Sequence, residues 1–349
     1  MRIGRDVKLR SPLREQLDAS GPSGADAPSV LTAVADLGLD GALFRTLYEL
    51  SPTLDGALLA DLAAQASDLG LYLEVGVGKV NPYMTAELPE IRDLGDGSYL
   101  AGMERMIGAA AAIGCTELWT ATAFQKPQYA GVFMLDRFRT DVEWPEQLRA
   151  IGQFLGTLAP ALRDHGCHLN LETHEEITSA ELLRLIEQVG PDVLGVTFDS
   201  ANLLAGGEHP LAAARRLAPY VRQTHLRDVA LFREGGDLVR YFAPCGEGVL
   251  DWPALTKVLT EANPRLNVSI EGAGSHRGRL RVPVSDDRWR TSHADLDADE
   301  FAAVCALVDR YAQREDVPGA AVFAAGAQDV LGDIDQFVLT SAAHLRSVL

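Results

Sequence analysis

Basic residues are scarce in this 349-residue chain: 31 Lys and Arg stand against 49 Asp and Glu, a formal charge of −18. That imbalance removes the electrostatic footprint a nucleic-acid binder needs, repels anionic membrane surfaces and discourages polyanionic substrates. Neutral small molecules fit better. Cysteine is rare as well. Cys115, Cys167, Cys245 and Cys305 lie far apart without a CxxC pair, which excludes a dense disulfide framework and fits buried thiols in a reducing cytosol. No run approaches the ~20 apolar residues of a membrane span, and Met1 to Asp6 lacks the apolar stretch of a signal peptide. A cytoplasmic protein is expected, with no membrane and no nucleic acid among its partners. What is abundant is apolar content: 47% of the residues are hydrophobic, enough for a sizeable core.

That content is distributed in a repeating way. Short β-type runs at 41–47, 71–78, 116–123, 168–173, 193–200, 221–226 and 266–271 alternate with amphipathic stretches, which implies a parallel sheet. An eighth run at 2–7 is interrupted by Arg5 and Asp6; if it pairs, a barrel closes. Thr178-Ser179-Ala180-Glu181 reads as a capping box leading into Leu182, Leu185, Ile186 and Val189, with Gly190-Pro191 as the stop. A second helix is expected from Trp144 to His165. Polar, glycine-containing loops are expected at 78–83, 122–133, 205–210 and 233–248. The expected fold is an α/β (β/α)8 TIM barrel over residues 1–274, with a C-terminal helical extension over 275–349 that packs on the barrel or on a partner subunit.

Four of the runs end in a side chain that binds metal: Glu172, Asp199, His225 and Glu271. Their spacings of 27, 26 and 46 residues are too long for one loop, and the first two match one helix plus one strand. Three carboxylates and one imidazole suit a hard or borderline divalent cation, Mn²⁺ first, with Mg²⁺ or Co²⁺ as alternatives, better than structural zinc. Such a cation makes the proton next to a sugar carbonyl acidic, and carboxylates beside it move that proton. Glu172 and Glu271 are the candidate acid/base pair.

Around these four, His174 lies two residues past Glu172 and is suited to proton transfer. Arg227 stands two past His225, to orient substrate or pair with Glu172 or Asp228. Asn202, three past Asp199, is a candidate for a substrate hydroxyl. Lys79 follows a glycine-containing strand whose Gly76 and Gly78 leave room for a ligand. Trp119, Phe124 and Tyr129 are candidates for an apolar wall against a sugar face.

The motifs Leu171-Glu172-Thr173-His174, Phe198-Asp199-Ser200-Ala201-Asn202, Thr224-His225-Leu226-Arg227-Asp228, Gly246-Glu247-Gly248-Val249-Leu250-Asp251-Trp252 and Ile270-Glu271 resemble those of the xylose-isomerase-like TIM-barrel superfamily, in particular its bacterial sugar phosphate isomerase/epimerase group. The resemblance implies a divalent metal on Glu172, Asp199, His225 and Glu271, with precedent for ketose 3-epimerases, aldose-ketose isomerases and inosose dehydratases. In the 3-epimerase branch two glutamates exchange the proton, matching Glu172 and Glu271. That branch carries a histidine three residues after the metal aspartate, where this chain has Asn202. Endonuclease IV, of the same superfamily, needs many more histidines, so DNA repair is disfavoured. The metal-bearing subunit of C-glycoside deglycosidases is a further neighbour, in which His174 would be the base and the aglycone would lie along Phe124 and Tyr129.

Three functions follow as expectations. The first is a divalent-metal-dependent sugar isomerase or epimerase. The second is a metal-dependent lyase on oxidised sugars, such as a 3-oxo-C-glycoside deglycosidase subunit or an inosose-dehydratase-like enzyme. The third is a non-catalytic carbohydrate-binding subunit. A small carbohydrate or glycoside is the expected ligand. A homo-oligomer is the expected assembly, or a hetero-oligomer for a deglycosidase.

Overall fold

The structure is a computed structural model that describes residues 1–9, 26–84, 88–123, 126, 129, 131–273, 278–314 and 334–349. Along the chain come β1 (Ile3–Val7), α1 (Ala27–Asp36), β2 (Gly41–Phe44), α2 (Leu47–Leu50), α3 (Gly56–Asp68), β3 (Tyr72–Gly76), α4 (Pro89–Leu94), α5 (Tyr99–Ala112), β4 (Glu117–Thr120) and α6 (Trp144–His165). They are followed by β5 (His168–Glu172), α7 (Ser179–Val189), β6 (Leu194–Asp199), α8 (Pro210–Leu217), β7 (Val221–His225), β8 (Asp228–Glu234), β9 (Asp237–Ala243), α9 (Trp252–Ala262), β10 (Val268–Ile270) and β11 (Leu280–Val282). The last helices are α10 (Asp287–Ser292), α11 (Ala298–Ala312) and α12 (Ile334–Val348).

Eight strands pair in parallel in the order β10-β1-β2-β3-β4-β5-β6-β7. The ends of this sheet meet: Leu226, just after β7, bridges Ile270, with Leu226 N donating to the Ser269 carbonyl at 2.9 Å. The expected TIM barrel is therefore the observed architecture, and the interrupted amino-terminal run does pair, between β2 and β10. Arg5 and Asp6 are tolerated there because they leave the ladder on opposite faces.

Local chemistry explains the boundaries. Thr178 and Glu181 form the capping box of α7, with Thr178 Oγ1 accepting from Glu181 N and the Glu181 carboxylate accepting from Thr178 N. The long α6 starts with Pro145 in its first turn and ends at Gly166, whose φ of 62° is the left-handed conformation glycine adopts cheaply. Its buried face, Ile151, Leu155, Leu158 and Leu162, packs on the outer side of the sheet.

Residues 233–248 differ from the expected loop. Most of them belong to an antiparallel hairpin of β8 and β9, with Glu234 opposite Asp237 across Gly235-Gly236, and β11 adds a third strand. A Gly-Gly pair between runs rich in β-formers is a hairpin signal that the charged residues Arg233, Glu234 and Asp237 obscure. The later helices pack back on the barrel: α11 against β8, and α12 against β1, β10 and α9. Among the described residues no helix is long and apolar enough to cross a membrane. All four cysteines are free thiols, three of them buried.

Candidate metal centre

Period-two alternation along each strand sends one set of residues toward the helices and the next toward the barrel axis. On β5, Leu169 and Leu171 join the outer core, so Asn170 and Glu172 point inward. The same parity places Asp199 at the end of β6, His225 at the end of β7 and Glu271 one residue past β10. All four are buried, and each offers a ligand atom within 4.8 Å of the others. This is the cluster of metal-binding type among the described residues. His225 Nδ1 lies 3.3 Å from Glu172 Oε1 and 3.8 Å from Glu271 Oε2.

The residues present fit a divalent cation. Both ring nitrogens of His225 are buried without a well-aligned hydrogen bond, Nδ1 facing the Glu172 and Glu271 carboxylates and Nε2 facing Asp6, a state that is costly for polar atoms unless a ligand satisfies them. An oxygen-rich set with one imidazole has the donor chemistry for such an ion.

Other residues hold these groups in place. Trp119 Nε1 donates to Glu172 Oε2 at 3.0 Å, and Asn202 Nδ2 donates to Asp199 Oδ2 at 3.0 Å and to Glu172 Oε1 at 3.3 Å. Asp199 Oδ1 accepts from the backbone N–H groups of Ala201 and Asn202 at 2.8 and 3.1 Å. Arg227 Nη2 pairs with Asp199 and, at 2.9 Å, with Glu271 Oε2, while its guanidinium stacks 3.8 Å from the Phe242 ring centroid. Its partners are thus Asp199 and Glu271, not Glu172 or Asp228. Asp228 instead accepts from Val229 N, Gly246 N, Leu250 N and Trp252 Nε1, which folds the loop of 244–251 around its carboxylate.

His174 pairs through Nδ1 with the Glu176 carboxylate, whose other oxygen accepts from Thr122 Oγ1 at 2.5 Å. Burial opposes a charge on His174, but the Glu176 charge and hydrogen bond outweigh it and raise the imidazole to about 9. Lys79 Nζ lies 4.4 Å from the Trp119 ring centroid. Tyr129 is 58% exposed, and Phe124 lies outside the described residues. The room expected beside the strand glycines is already filled. A side chain at Gly76 would meet the Arg45 carbonyl and the Trp119 indole, and one at Gly78 would meet Tyr99 and Met103.

Three site residues escaped the reading of the sequence. Lys8 Nζ sits 2.9 Å from Glu271 Oε1, Arg45 Nη2 pairs with the same oxygen, and Arg45 Nε donates to Asp6 Oδ1 at 2.9 Å. Asp6 in turn lies 3.8 Å from His225 Nε2, behind the imidazole. Burial opposes ionisation of Glu271, yet Arg227, Arg45 and Lys8 hold it well below the usual carboxylate range. Glu172 is likewise held low against its burial, chiefly by His225. Asp199 is raised by burial, with Arg227 opposing and the Glu271 and Glu172 charges adding to it. Burial, aided by Arg45, lowers Lys8. The signal for Lys8 and Arg45 was available: each follows a barrel strand at its carboxyl end, where such folds place chemistry.

Comparison with known proteins agrees with this architecture. The model of the xylose isomerase-like TIM barrel family matches residues 31–294. A 3-oxo-isoapionate decarboxylase of Pectobacterium atrosepticum is 26% identical over 141 residues, 40% of this chain and 51% of that protein. An inosose dehydratase of Bacillus anthracis is 26% identical over 140 residues, 36% of this chain and 45% of the relative. The chain thus spans about half the length of these curated relatives in its matches. A D-psicose 3-epimerase of Clostridium cellulolyticum, solved with D-tagatose, superposes with a TM-score of 0.62 at 15% identity, covering 100% of this chain and 99% of that one. At that identity the likeness is one of fold. The chain belongs to the xylose isomerase-like TIM barrel family.

Proposed function

We propose that this chain is a divalent-metal-dependent carbohydrate enzyme that abstracts a proton next to a carbonyl, with isomerisation or epimerisation of a keto-sugar as the outcome. The observation that carries the reading is the buried set Glu172, Asp199, His225 and Glu271, whose ligand atoms converge, with His225 Nδ1 turned toward both glutamates. When bound there, a divalent cation, Mn²⁺ first, would supply the Lewis acidity that makes the proton next to the carbonyl acidic enough to be removed.

The chain's own residues divide the remaining work. Glu172 and Glu271, which both approach His225 Nδ1, serve as the acid/base pair. Trp119 and Asn202 orient Glu172, and Arg227 steers Asp199 and Glu271. His174, held by Glu176, supplies a proton to a substrate oxygen. Lys79 beside Trp119 faces the developing oxyanion.

A second reading, elimination from an oxidised sugar or cyclitol, draws on two observations. The sequence relatives are named as a dehydratase and a decarboxylase. Asn202 also stands three residues past Asp199, so proton exchange on the two faces of a substrate is less evenly equipped. Incubating the Mn²⁺-loaded protein with keto-sugars and inososes in deuterated water separates the readings by NMR. Deuterium in recovered or isomerised sugar supports the first, and loss of water supports the second. No exchange and no product with any of them contradicts both. The free cysteines agree with a reducing cytosol as the compartment.

A further inference from the structure

The β8–β9 hairpin stands outside the eight-stranded barrel yet sends a buried cation toward the ligand set, and its role there rests on reading that set as a metal centre, independently of the reaction. Arg240, on β9, is 1% exposed. Its Nη2 pairs with Glu175 at 2.5 Å, and its Nη1 lies 3.4 Å from both the Ala201 carbonyl and Asn202 Oδ1. The guanidinium stacks 4.1 Å from the ring centroid of Phe242, two residues along the same face of the strand, and Arg227 stacks on that ring at 3.8 Å. Among the described residues Arg240 makes no hydrogen bond or ion pair with Glu172, Asp199, His225 or Glu271. Its influence on them passes through a neighbour or through space.

The neighbour is Asn202. A carboxamide keeps nearly the same shape when turned end for end, so its hydrogen-bond partners decide which end faces which way. Arg227 Nη2 lies 3.3 Å from Oδ1 and Arg240 Nη1 lies 3.4 Å from it. Guanidinium groups only donate, so the oxygen must face them. The amino end is thereby turned to the carboxylates, giving one N–H to Asp199 Oδ2 at 3.0 Å and the other to Glu172 Oε1 at 3.3 Å. Turned the other way, oxygen would face carboxylate oxygen and N–H would face N–H. Both lone pairs and both protons of the amide are thus committed, which leaves none for the substrate hydroxyl expected there from the sequence. Arg227 also pairs with Asp199 and Glu271 directly. Arg240 is the cation that reaches the amide without touching a ligand.

We infer that Arg240 is a positioning residue of the metal centre, acting through the Asn202 amide to aim the Glu172 and Asp199 carboxylates. Mn²⁺ affinity, measured by calorimetry on metal-free protein, tests this in a cycle with position 202. E175Q/R240M removes both charges of the buried pair, so that neither is left without the other. It should weaken binding at least ~10-fold, the size of losses from groups that orient metal ligands. N202L, which keeps the bulk of the side chain without its polar atoms, should weaken binding comparably. In the N202L background, adding E175Q/R240M should change affinity by no more than about twofold. R240K guards against a failure of E175Q/R240M to fold: it keeps a charge beside Glu175 and gives up the fork, and the same loss is expected, again only with the native amide at 202. A merely structural role would lower the unfolding temperature in both backgrounds and leave the affinity of the folded chain unchanged. Native affinity in any of these folded variants overturns the inference and leaves the metal reading standing. So does an equal loss in the N202L background, which a charge acting through space on Asp199 would give. Absence of Mn²⁺ binding to the native protein overturns both.

Discussion

On β5, Leu169 and Leu171 are buried among apolar side chains of the surrounding helices, whereas their neighbours Asn170 and Glu172 face the barrel axis and are held by hydrogen bonds. On β6, Val196 and Phe198 join the same outer core, while Thr197 and Asp199 turn inward. Val268 and Ile270 of β10 repeat the outward pattern beside Ser269 and Glu271. The apolar content within is slight, a separate small cluster of Leu43, Trp119 and Ala121. The outer wall thus supplies the burial that folds the chain, roughly 25 cal/mol per Å² of apolar surface. The inner wall is an ionic network that stabilises little by itself, since desolvation offsets most of its attraction. Stability and chemistry reside on opposite faces of the same strands, and substitutions on each face should separate them.

The largest expected effect is at the inner wall. Glu271→Gln removes a ligand charge and a base together, so turnover should fall by at least about 10²–10⁴-fold while circular dichroism keeps the barrel signature. Near-normal turnover with metal present would remove Glu271 from the machinery. Leu155→Ala is the converse test on the outer wall. It should cost about 2–5 kcal/mol in urea unfolding and leave turnover per folded molecule unchanged.

How far the two walls could be read from the sequence follows the same division. Alternation exposed the strands because the outer wall is uniformly apolar, and the strand-end rule then picked out Glu172, Asp199, His225 and Glu271. Lys8 and Arg45 stand at strand ends and were passed over there; their pairing with Glu271, over 200 residues away in the chain, was not legible, because it forms only when β1, beside β2, closes against β10. The β8–β9 hairpin was missed because its turn is flanked by charged residues that a loop also favours. Glu176 was passed over because nothing in the spacing shows that its carboxylate folds back onto His174.

A third test addresses the polar layer deeper in the barrel. Glu74 accepts from Asn267 Nδ2 at 2.8 Å, while its other oxygen is buried without a partner. Burial, with the Glu117 charge adding to it, raises this carboxyl to about 7. The folded state therefore binds the proton more tightly than the unfolded chain, and this contribution to stability is present at low pH and lost as pH rises from about 4.5 through 7. Relative to the native chain, Glu74→Gln should gain about 2–3 kcal/mol of stability between pH 5 and pH 8 in chemical unfolding. A pH-independent difference would contradict the assignment. The smallest effect is expected at Asp6→Asn, which leaves every ligand in place but loosens the support behind His225. Metal affinity should fall about 10–100-fold, read by competition with a chelating dye.

The most direct measurement is a calorimetric titration of metal-free protein with Mn²⁺, run in parallel on the His225→Gln variant. One ion per chain in the native protein, with binding lost in a folded His225→Gln, is the result expected of a catalytic inner wall. Absence of binding at millimolar Mn²⁺, or binding that is indifferent to His225, would contradict it.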